Sequence, residues 1–204
     1  MNILAIDVGI INLAIIGVNL NEDYLERQEV IKEDEIFMCE KIDITELVSG
    51  CRDKDCVLYH DKIICDYMMH LFKMYKKEFD SANIILIERQ PLQGIVAVQE
   101  LIMREYRNKS ILISPNAMLN SFGILKYEYE ERKVHTIKIA FEYLSGFKNF
   151  VFNERRHDMA DAICILLYYL SLKRKEYTKK IEKEENKIRY AQAFKKLSEY
   201  VYKE

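Results

Sequence analysis

Two short apolar runs, Ile3-Leu4-Ala5-Ile6 and Ile84-Ile85-Leu86-Ile87, are each closed by an acid, Asp7 and Glu88. Unbroken runs of this kind fill strands buried on both faces of a sheet, so the carboxylates that end them sit at the sheet's rim. Far downstream, His157-Asp158-Met159-Ala160-Asp161-Ala162 opens a long apolar stretch with helical spacing. Two acids three residues apart share one helix face, and Ala160 and Ala162 let that helix approach a sheet closely. Gathered at one place, Asp7, Glu88, Asp158 and Asp161 would repel one another, and hard divalent cations bound through oxygen relieve such repulsion.

The remaining pattern supplies a frame for those acids. Residues 2–8 and 12–19 read as strands joined by a tight hairpin at Gly9-Ile10-Ile11, and residues 35–44 as a third strand. Helical spacing runs from about Asp61 to Phe79, and residues 83–88 form a buried strand. Pro91 and Gly94 break the chain before a helix over 95–107. Ile111-Leu112-Ile113 is a short strand stopped by Ser114-Pro115, a helix over 133–145 ends at Gly146, and a long final helix starts near His157. This order predicts an α/β fold: a mixed five-stranded sheet, with a three-strand antiparallel meander plus two parallel strands reached through helical crossovers. Strands one and four can then be neighbours, setting Asp7 beside Glu88. Residues 1–172 read as one domain. Residues 173–204 read as a charged helical extension whose weak apolar seam (Ile181, Ile188, Ala191, Phe194, Leu197, Val201) would dock on the body or on a partner.

Charge is divided along the chain. The formal net charge is −2, but residues 1–100 hold 10 Lys and Arg against 19 Asp and Glu, while residues 101–204 hold 21 against 14. A basic second half permits a polyanionic partner that the overall charge would argue against. No 18-residue apolar stretch predicts a membrane span, and the start lacks the basic region of a signal peptide. The five cysteines read as reduced thiols. Cys51, Cys56, His60 and Cys65 lie close in sequence but lack the paired C-x2-C spacing of structural zinc sites, and Cys65 reads as a core residue of a helix.

On spacing alone, the four acids admit either a metal site or ordinary structural acids. Together, Ile3-Leu4-Ala5-Ile6-Asp7-x-Gly9, the run Ile87-Glu88-Arg89-Gln90-Pro91, the Ser114-Pro115 turn and His157-Asp158-x-x-Asp161-Ala162 resemble the poxvirus Holliday junction resolvases. These belong to the RuvC-like branch of the RNase H superfamily. The resemblance covers about residues 1–170. It implies a homodimer that cuts four-way DNA junctions and branched or concatemeric viral replication intermediates, leaving 5′-phosphate and 3′-hydroxyl ends. By the same resemblance Asp7, Glu88, Asp158 and Asp161 are the catalytic metal ligands, holding two Mg²⁺ ions for which Mn²⁺ can substitute, with Asp7 between them. A viral enzyme of this kind would work in the host-cell cytoplasm.

Further residues are candidates for the DNA backbone: Arg89 beside Glu88, Lys133 and Lys138 on the helix over 133–145, and Arg155, Arg156 and His157 leading into the acidic helix. Each reads equally as a solvated, capping or packing residue. The helix over 95–107, rich in Ile95, Val96, Val98, Leu101 and Ile102, is a candidate dimer contact or a helix packed on its own sheet. Two rival readings stay open: another RNase H-fold nuclease, of RNA–DNA hybrid or transposase type, and an actin-like ATPase. The ATPase would need a second glycine-rich phosphate loop, and six glycines leave no sign of one.

Overall fold

In the computed structural model, which describes residues 1–27, 31–52 and 54–201, a five-stranded sheet is sandwiched between two layers of helices. The strands are β1 (Asn2–Asp7), β2 (Leu13–Asn19), β3 (Ile36–Ile42), β4 (Ile84–Glu88) and β5 (Ser110–Ile113). Their order is β3-β2-β1-β4-β5, with β3, β2 and β1 antiparallel and β1, β4 and β5 parallel. One layer holds α1 (Ile44–Ser49), α2 (Ile64–Met74), α3 (Lys76–Ser81) and α4 (Val96–Glu105). The other holds α5 (Pro115–Ser121), α6 (Tyr129–Leu144), α7 (Lys148–Val151) and α8 (Arg156–Val201).

Strand parity assigns every side chain of β1 to a layer. Ile3 and Ala5 join the core under α8, while Leu4 and Ile6 join the core under α2 and α4. In β4, Leu86 faces α8, and Ile85 and Ile87 face the other way. A period of two therefore turns Asp7 and Glu88, each one step past those residues, toward α8. Ile6 pairs with Ile87, so both acids leave the sheet side by side. Gly9 shapes the hairpin that follows. A Cβ there would lie 2.6 Å from the Asn12 carbonyl, closer than any real side chain approaches backbone.

The sequence-predicted strands and the three longest helices are present, with boundaries moved by a few residues. The stretch 61–79 is two helices, α2 and α3, which break at Tyr75, a residue with a non-helical backbone (φ −104°, ψ 27°). The short helices α1, α5 and α7 occupy stretches read as connections. Helix α4 buries Val98, Gln99 and Ile102 on its own sheet. Helix α8 passes through residue 172 without interruption. Beyond the domain limit, Arg174 donates to the Arg27 carbonyl and Tyr177 donates to Glu26. Of the apolar seam expected to dock on the body or on a partner, Ile181 and Ile188 are 41% and 56% exposed. Phe194, Leu197 and Val201 lie outside the described side chains. No helix among the described residues is long and apolar enough to cross a membrane.

Candidate active site

The four acids meet at the rim where β1 and β4 end. The Asp7 and Glu88 carboxyls lie close enough to interact directly, an interaction that favours the protonated form of Asp7 and the ionised form of Glu88. Burial holds Asp7 well above the usual carboxylate range, and the charges of Glu88, Asp161 and Asp158 push the same way. Burial likewise raises Glu88, against hydrogen bonds from Asp7, Gln90 and the Val8 backbone. Asp161 is pushed up to about 7 by burial, with Glu88 and Asp158 adding to it while Thr136 and Lys133 oppose. Carboxyls whose ionisation is opposed by burial, and in Asp7 and Asp161 also by the neighbouring acids, mark an oxygen-lined site for positive charge.

Asp158 is buried at the start of α8, where the helix dipole favours a carboxylate. Its Oδ2 accepts from Arg155 Nε at 3.1 Å, and its Oδ1 lies 3.3 Å from His157 Nε2 in an orientation that makes no hydrogen bond. The donor set is all oxygen, half-buried and mutually repulsive, which suits Mg²⁺ or Mn²⁺ and not a soft metal.

A cleft of about 210 Å³ opens beside the acids, with Glu88 and Asp161 on one wall and Tyr129, Arg132, Lys133 and Thr136 of α6 on the other. Of the six predicted DNA-backbone residues, Lys133 faces this cleft, its ammonium 4.1 Å from the Tyr129 ring centroid. Arg155 is engaged with Asp158, and Arg156 lies over the Phe141 ring and donates to the Val151 carbonyl. Arg89 and Lys138 are exposed, Arg89 directly after Glu88. His157 is held below its ordinary pKa chiefly by burial, with Lys133 and Arg155 adding to this against the pull of Asp158.

Sequence reasoning passed over the residues that hold the acids. Gln90 donates to Glu88 Oε2, its own backbone N–H donates to buried Gln99 of α4, and its Oε1 accepts from Ile95 N–H. A residue fixed at three points, two through its side chain and one through its backbone, positions Glu88. Buried Thr136, which also reaches the Lys133 carbonyl at 3.2 Å, does the same for Asp161. A glutamine two residues past the strand-ending acid was the available signal for the first. Thr136 gave none, because its role depends on how α6 crosses α8.

Comparison with solved structures bears on the fold. The fowlpox virus resolvase in complex with Holliday junction DNA superimposes with a TM-score of 0.55 at 15% identity, covering 84% of this chain and 97% of that one. The yeast mitochondrial Holliday junction resolvase Ydc2 gives 0.51 at 21% identity, covering 86% and 80%. The chain has the RNase H-like fold of the Holliday junction resolvases. At these identities the likeness is one of fold. No protein-family profile and no curated protein matches the sequence.

Proposed function

We propose that the chain is a divalent-metal-dependent endonuclease that resolves four-way DNA junctions by paired, symmetric cuts, leaving 5′-phosphate and 3′-hydroxyl ends. The observation that carries this reading is the convergence of Asp7 and Glu88, at the ends of adjacent parallel strands, with Asp158 and Asp161 of α8. It is supported by the fold shared with resolvases and by the basic wall facing the acids across the cleft. Divalent ions held by the four acids would supply an activated water and charge for the leaving oxygen. The protein's own groups do the rest. Asp7, central at the end of β1, holds charge shared by both sides of the site. Gln90 keeps the Glu88 oxygens aimed inward, and Lys133 stands where a phosphate entering the cleft would need a cation.

A four-way junction has near-twofold symmetry and needs two opposed cuts, so a twofold dimer of this chain fits the task. The workplace proposed for such an enzyme is the cytoplasm of a virus-infected cell, acting on branched or concatemeric DNA. The test is cleavage of a synthetic four-way junction beside linear duplex and RNA–DNA hybrid, with and without Mg²⁺, using Asp7→Asn as control. Junction-selective, Mg²⁺-dependent nicking that the variant lacks supports the reading. Equal cutting of the hybrid would transfer it to a ribonuclease, and cutting by Asp7→Asn would overturn the acidic site.

A further inference from the structure

Between α1 and α2 the chain crosses a stretch that contributes no described side chain to either apolar core. Val57 and Tyr59 there are 91% and 79% exposed. Burial of apolar surface therefore does not hold this segment. What it does carry is a set of soft donors. One ligand atom from each of Cys51, Cys56, His60 and His70 lies within 4.8 Å of all the others, and among the described residues no other group of three or more does so. The segment supplies three, and α2 supplies His70. Cys65, grouped with them by sequence proximity, is exposed at the start of α2 and outside the set, correcting its expected place in the core.

We propose that Cys51, Cys56, His60 and His70 form a tetrahedral zinc site that pins this segment to α2. The spacings fit. His60 Nε2 and His70 Nε2 are 3.2 Å apart, and Cys56 Sγ is 3.8 Å from His70 Nε2. Tetrahedral zinc at its usual bond lengths sets edges of about 3.3 Å between two nitrogens and about 3.6 Å between nitrogen and sulfur. His70 is prepared for the role: its Nδ1 sits 2.8 Å from the Asp66 carbonyl, which takes the ring proton and leaves Nε2 with a free lone pair. His70 is itself buried, so its ring direction is fixed before any ion arrives. The Lys73 ammonium stands 3.6 Å from Cys56 Sγ, where a positive charge favours a thiolate. Two thiolates and two neutral imidazoles select zinc over the magnesium that suits the acids, so the two sites do not compete.

The experiment uses the full-length protein, purified reduced and without chelator. Metal analysis should find one zinc per chain, and replacement by Co²⁺ should give tetrahedral visible bands with a thiolate-to-cobalt charge-transfer band, which a carboxylate site cannot produce. Cys56→Ser and His60→Ala should each weaken zinc binding by more than the ~100-fold that loss of an outer-sphere partner costs. Cys65→Ser and Asp7→Asn should keep both zinc and the sulfur band. Because His60 is exposed, His60→Ala leaves the core untouched and reads binding without a folding defect. Protein that takes up no zinc, or cobalt that shows no thiolate band, or retention of full affinity by His60→Ala, would overturn the site and reduce the His60–His70 contact to a hydrogen bond.

Discussion

Asp161→Asn should make the Mg²⁺-free protein more stable, by an amount that grows with pH. The carboxyl of Asp161 is pushed up to about 7 in the folded chain from its ordinary value of 3.8. A raised acid is a group that the folded state prefers protonated, so stability is full below the unfolded value and falls as pH rises toward the folded one. An amide mimics the protonated acid and does not titrate. The variant's advantage should therefore be at most about 2 kcal/mol near pH 5 and about 4 kcal/mol near pH 8.5. Urea unfolding of both proteins across this range measures it, in Mg²⁺-free buffer without chelator so that a zinc site stays loaded. Adding Mg²⁺ should then stabilise the wild type more than the variant, because binding to the folded state adds stability by mass action. An advantage independent of pH, or a variant less stable near pH 8.5, would refute the idea that the folded chain holds Asp161 protonated through burial and the neighbouring acids.

Asp7→Asn should abolish junction cleavage while leaving junction binding within about threefold of wild type by mobility shift, since the change removes one charge and no volume. Lys133→Ala should weaken both cleavage and binding, and flatten the dependence of binding on salt by about one phosphate contact's worth of slope, without altering the unfolding midpoint beyond about 0.5 kcal/mol. Gly9→Ala should cost about 1–3 kcal/mol in urea unfolding, because its Cβ would meet the Asn12 carbonyl at 2.6 Å and the hairpin beside Asp7 would have to shift.

Much of the site was legible before the structure because it rests on periodicities. An apolar run that ends in an acid places that acid at a rim, and parity places it on a face. For β1 and β4 both inferences held: Asp7 and Glu88 leave adjacent parallel strands toward the same helix layer. Asp158 and Asp161 followed from a spacing of three. The failures came where no period can register. Helices α1 and α7, of six and four residues, are too short to show one. Nor does a period tell that Arg155 and Arg156, candidates for the DNA backbone, lie against Asp158 and Phe141 in the fold.

The Cys and His residues show the boundary most clearly. Sequence proximity grouped Cys51, Cys56 and His60 with Cys65, the nearest remaining donor, whereas the fold brings in His70 instead. The chain by itself determined which residues lie on strands, which faces they take and which carboxylates reach the rim, because backbone geometry repeats every two or 3.6 residues whatever surrounds it. Tertiary structure alone decided which helix turn stands over which loop, and so the choice of His70, the grip of Gln90 on Glu88 and the place of Thr136 under Asp161. Those contacts depend on how separate elements pack, and packing is set by the sum of many buried surfaces that no local spacing encodes.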